Sequence, residues 1–161
     1  GMTSTNDVNA YNAYRDRAVV FMDERKYTDA LVLFHNCLSI ADNLGDPDLQ
    51  GKAHGNIGIA LYWARQTADQ AKQHLLKAVS WAQHRSPAQL PTVYMFLGKV
   101  YMACGEYAAA QERFKLSIAA ATAIGGDTVT ETMVRKHLVT ISRALSKDDE
   151  VTMLSVDFEQ L

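Results

Sequence analysis

The stretch from Pro91 to Ser117, PTVYMFLGKVYMACGEYAAAQERFKLS, constrains the fold most, because it reads as two helices joined by a turn too short to separate them. Tyr94, Leu97 and Tyr101 step by three and four residues along one helical face. Gly98 interrupts that run, and a glycine inside a helix costs about 1 kcal/mol against alanine, so it marks a place where a neighbouring helix passes close. Gly105 supplies a stop, since glycine takes the left-handed conformation without a Cβ clash. Tyr107, Ala110, Phe114, Ile118 and Ala121 then form a second stripe. Two such helices across the turn 103–106 must pack antiparallel.

The spacing Tyr94-x2-Leu97-Gly98-x2-Tyr101, followed by Tyr107-x2-Ala110-x3-Phe114, resembles the tetratricopeptide repeat. Tyr94 stands in place of the usual Trp, and the closing Pro is missing. The resemblance implies an all-α, right-handed solenoid of antiparallel helical hairpins.

Two further units are in step with this one. A helix from Val8 to Arg25 carries Tyr14, Ala18 and Phe21, and Tyr27-x2-Ala30-x3-Phe34-x2-Cys37 repeats the spacing of Tyr107-x2-Ala110-x3-Phe114-x2-Ser117. The middle unit has Ile57-Gly58-x2-Leu61, then Ala71-x3-Leu75-x2-Ala78, with one extra residue and no glycine in its turn near 64–67. Ala30, Ala71 and Ala110 give a period near 40, longer than the usual repeat of about 34 residues. Leu44-Gly45-Asp46 followed by Asn56-Ile57-Gly58 is similar to phrases in the longer-repeat branch, as in kinesin light chains and spindle-orientation adaptors. The expected architecture is three repeats over residues 8–145, closed by a capping helix or a fourth hairpin. Val134, Leu138, Ile141 and Leu145 share a face suited to covering the last apolar surface. Residues 1–7 are expected to be disordered, with Gly1 a tag remnant. Residues 146–161 read either as a short helix or as an acidic, apolar tail, with Val151, Leu154, Phe158 and Leu161 at helical steps.

Composition narrows the function classes. A net charge of −2 and the lack of a basic cluster offer no footprint for nucleic acid. No apolar run approaches the roughly 20 residues of a membrane span. Cys37 and Cys104, both within expected helices, read as buried structural thiols in a reduced, cytoplasmic setting. His35, His54, His74, His84 and His137 show no metal-ligand spacing, with His35 and His74 expected on polar helix faces and His54 in packing. Gly125-Gly126-Asp127 reads as a helix stop, too short for a phosphate loop. No nucleophile elbow occurs, so the expectation is a protein without catalytic residues, cofactor or metal.

In tetratricopeptide proteins the first helix of each pair lines a concave face that receives peptides or helices. Carried over by register, that face would hold Arg15, Val19 and Met22 from the first unit and Asn56, Ile59, Tyr62 and Trp63 from the second. Met95, Lys99 and Met102 would follow from the third, and Arg135 from the last helix. The resemblance implies that Asn56 bonds the backbone of an extended ligand; bonding a neighbouring turn is the alternative. Trp63 and Met102 are open between groove and inter-repeat core. The co-chaperone clamp for C-terminal carboxylates is not assembled: Arg15 and Asn56 fit, but Val19, Thr92 and Phe96 fill its other places. The leading expectation is a scaffold binding a partner protein's peptide or helix. The alternative is a self-associating protein, such as a homodimer, whose C-terminal segment docks on a neighbour.

Overall fold

The computed structural model describes the backbone of residues 2–159 and the side chains of residues 4–147. Among these residues the chain forms α1 (Met2–Asp23), α2 (Tyr27–Leu44), α3 (Pro47–Trp63), α4 (Ala68–Arg85), α5 (Leu90–Ala103), α6 (Tyr107–Ala123) and α7 (Thr128–Glu159), with a short 3-10 turn at Pro87–Gln89 and no strand. Each helix packs on the next in sequence, giving hairpins α1–α2, α3–α4 and α5–α6, with α7 laid on α6. Among the first helices α3 packs against α5 and α5 against α7, forming an inner layer, and α1 is tied to α3 through the Tyr11 hydroxyl, which donates to the Leu49 carbonyl at 3.2 Å.

Small residues set the spacing within each hairpin. A Cβ placed on Gly98 would sit 2.7 Å from the Phe114 ring, and one on Gly58 2.6 Å from Leu75. Ala18 occupies the same register in the first hairpin, and these three positions lie 40 residues apart. Further along the hairpins, the Cys37 thiol donates to the Tyr11 carbonyl at 3.5 Å, and the Ser117 hydroxyl donates to the Pro91 carbonyl at 2.6 Å. The two contacts are equivalent, in the first and third hairpins. Each buries a side-chain donor on a carbonyl of the first helix, so the polar group is not left unsatisfied.

The hairpin turns share a backbone solution that their sequences hide. Gly105 has φ +75°, as expected, but Arg25 and Arg65 take the same left-handed conformation at φ +61° and +55°. All three close the preceding helix with paired bonds: Arg25 N–H to the Met22 carbonyl and Lys26 N–H to Phe21, Arg65 to Tyr62 and Gln66 to Leu61, Gly105 to Met102 and Glu106 to Tyr101. At the opposite edge Asp46 caps α3 by accepting from the Asp48 and Leu49 amides, with Pro47 in the first turn. Asp127 does the same for α7, accepting from the Thr130 amide and hydroxyl.

Several expectations are corrected. α1 starts at Met2 rather than Val8, which places 2–7 in the helix instead of a disordered leader. α7 crosses Ser146 without a turn, so the closing element is one long helix and not a fourth hairpin. Ser146 offers a cap, but Ala144, Leu145 and Lys147 around it are strong helix formers and no Gly or Pro breaks the run. The side chains of 148–161, including the stripe expected there, lie outside the described residues. Cys104 is exposed at the end of α5, whereas Cys37 is buried; neither is in a disulfide.

Candidate functional site

The inner layer is built from residues that face away from the second helices, and its most unusual member is Lys99. It is only 6 % exposed, yet no carboxylate or hydrogen-bond acceptor among the described residues pairs with it. Its ammonium lies 4.7 Å from the Phe96 ring centroid, 5.2 Å from Trp63 and 5.7 Å from Tyr62. The ammonium lies over the rings, whose negative faces attract it, and the rings shield its stem. No fully buried side-chain nitrogen or oxygen among the described residues lacks a partner, so the ammonium tip keeps contact with the surface of the layer. Burial lowers its pKa from the ordinary lysine value; burial first, then the Lys99 charge, lowers that of His137 on α7. Lys99 therefore sits where α3, α5 and α7 meet.

The cage extends into an aromatic cluster. Tyr62 and Trp63 meet edge to face at 5.1 Å, Tyr62 and Phe96 at 5.8 Å, and Trp63 stacks on Tyr27 of α2 at 6.3 Å. Trp63 remains 42 % exposed, which assigns it to the surface rather than to inter-repeat core. On either side of it lies a cleft. One, of about 490 Å³, is lined by Tyr62, Trp63, Arg65 and Gln66 with parts of α4 and α5; the other, about 550 Å³, by Arg25, Tyr27, Trp63 and Arg65.

The remaining expected groove residues divide. Asn56 is half-buried and makes no side-chain hydrogen bond among the described residues, so no neighbouring turn claims it. Val19 is 46 % exposed and Arg135 is exposed, while Arg15 forks onto the adjacent Asp16 at 2.9 and 3.1 Å. Met22, Ile59 and Met102 are partly buried against the core, and Met95 is wholly core at 4 % exposure. The inner layer thus brings Tyr62, Trp63 and Lys99 together and withdraws Met95 from any ligand. Tyr27, Arg25 and Arg65 were not among the expected groove residues, and Phe96 was expected only as an uncharged residue filling a place of the unassembled clamp. The signal for the arginines was present: Arg25, Arg65 and Gly105 lie 40 residues apart.

Away from this face, His54 and His74 approach Nδ1 to Nδ1 at 2.9 Å, with His35 packed on His74 at a ring distance of 6.1 Å. His74 is therefore half-buried between hairpins, not on a water-facing side. Burial first, then His54, His35 and Lys77, pull its pKa down to about 4. Among the described residues no group of three or more ligating side chains is placed to hold a metal ion. No described helix is long and apolar enough to cross a membrane.

No protein-family model and no curated protein matches the chain. Solved structures do. The tetratricopeptide domain of Arabidopsis FLU superposes with a TM-score of 0.66 at 18% identity, over 70% of this chain and 95% of that one. The Sgt2 tetratricopeptide domain from Aspergillus fumigatus gives 0.69 at 18% identity, over 87% of this chain and 82% of that one. These likenesses establish the fold: an all-α solenoid of tetratricopeptide-type hairpins.

Proposed function

We propose that the chain is a protein-interaction scaffold whose inner layer takes a peptide or helix from a partner protein, in a reduced, cytoplasmic setting. The observation that carries this reading is the pair of polar groups with no hydrogen-bond or ion-pair partner among the described residues, Asn56 and the ring-caged Lys99, on a layer also bearing exposed aromatic surface. A free side-chain amide can bond an extended backbone, and a caged ammonium can meet an anionic group without first breaking an ion pair. Tyr62 and Trp63 supply the large, stiff apolar area that concentrates binding energy. The tetratricopeptide fold supports the same conclusion, since stacked hairpins of this kind expose a continuous face to partners.

The test is affinity capture from lysate of the source organism. Wild type is compared with Asn56→Ala/Lys99→Met, in which the methionine keeps the buried stem apolar, after matched circular dichroism. A protein held by wild type and lost by the variant is the expected result. Equal capture by both would overturn the inner-layer reading.

A further inference from the structure

We infer that the paired clefts around Trp63 receive the acidic C-terminal segment of a second copy of this chain. The clefts lie at the edge where the three hairpin turns gather, and their charged walls are Arg25 and Arg65. Neither arginine has an ion-pair partner among the described residues; Glu24 beside Arg25 is taken by Lys26 at 3.0 Å. Both hold a left-handed backbone that the third hairpin gives to Gly105. Two turns thus accept a conformational cost that glycine avoids, and what they gain is a pair of guanidinia beside an exposed Trp, Arg65 lining both clefts and Arg25 the second. Strain kept at a surface position points to a role beyond folding.

Charge complementarity names the occupant. Residues 148–161 contain Asp148, Asp149, Glu150, Asp157 and Glu159 and no Lys or Arg, with Phe158 between the last two acids. A segment that carries five carboxylates and an aromatic residue and no cation is complementary in charge and chemistry to two guanidinia beside an exposed Trp, which pair carboxylates bidentately and stack on rings. The topology sets the stage. First helices run toward the turn edge, and Leu145 stands 40 residues after Gly105, level with those turns. α7 continues to Glu159, so its last turns project past that edge as a helix of roughly 1.5 Å rise per residue. Because α7 runs past the turns as one unbroken helix, its own last turns cannot reverse onto the clefts beside Trp63. A second molecule can present its own segment there, and two reciprocal contacts make a closed pair.

Sedimentation velocity of the full chain tests this, independently of the inner-layer reading. Wild type is expected to dimerise as concentration rises, less so in high salt. Arg25→Glu/Arg65→Glu and, separately, Asp157→Lys/Glu159→Lys should each weaken the dimer at least tenfold. Mixing the two variants should restore it, because each cleft again faces a segment of opposite charge, and that recovery also shows both variants are folded. Asn56→Ala, which lies outside both cleft linings, should leave the dimer unchanged. A wild type that stays monomeric to millimolar concentration would overturn the inference and leave the clefts to an acidic segment of another protein. So would a dimer indifferent to both charge reversals, or a mixture that fails to recover.

Discussion

At the residue scale, close approach and backbone conformation decide more than residue type. Gly98→Ala is expected to destabilise the fold by about 1–3 kcal/mol, because its methyl group would meet the fully buried Phe114 ring. Urea unfolding reads this directly, and a midpoint equal to wild type would contradict the packing. Arg25→Gly and Arg65→Gly carry the opposite sign. Each relieves a left-handed non-glycine residue and should stabilise by about 0.5–1 kcal/mol, while weakening the proposed dimer. Stability gained together with association retained would separate the strain from any role in contact. Gly98 and Gly105 were readable from sequence, because a glycine within a helical stripe marks a close approach and one just past its end marks a left-handed stop. Arg25 and Arg65 stayed hidden, since arginine carries no local mark of a left-handed backbone.

At the scale of elements, the stripes of three- and four-residue spacing specified which helices exist and which face each buries. Phe34, Leu75 and Phe114 all lie inside hairpins as their repeated spacing required. Helix ends were less legible. Ser146 looks like a start only in isolation; within α7 the preceding turn already holds the chain helical, and elongation costs less than a new nucleus. The same logic carries α1 back to Met2. Site residues were legible in part because register names a face but not its depth: Lys99 and Met95 share a helix and both are buried, yet only Lys99 has a polar tip that must reach water. α7 closes the solenoid through Val134 and Ile141, both fully buried. Ile141→Ala should therefore cost about 2–4 kcal/mol in chemical denaturation, whereas Val139→Ala, at a position 52 % exposed, should cost less than about 0.5 kcal/mol. Equal effects would mean that α7 does not cap the core.

At the scale of the whole molecule, the histidines of α2, α3 and α4 couple stability to pH. His74 is held neutral in the fold, with a pKa near 4 against an ordinary 6.5, so the unfolded chain binds its proton first. The His74 contribution to stability should then fall as pH drops from about 6.5 towards 4 and level off below that. Asp48, bonded by Arg85 and Trp81 and lowered from 3.8 to about 2, acts in a separate and more acidic window: its contribution is present above 3.8 and lost towards 2. Melting temperatures between pH 7 and 4.5 should fall in wild type and less in His74→Gln; parallel curves would remove the histidines from the explanation.

Binding of the partner on the inner layer of first helices can be read by placing a photo-crosslinking amino acid at Asn56. The comparison is the same amino acid at Leu116, a 38 % exposed position on the second helix of the third hairpin, both in cells of the source organism. The expected result is a discrete adduct from position 56 that disappears when Lys99→Met is added, and none from position 116. Adducts from 116 alone, or from both positions alike, would place the partner elsewhere on the solenoid and contradict inner-layer binding.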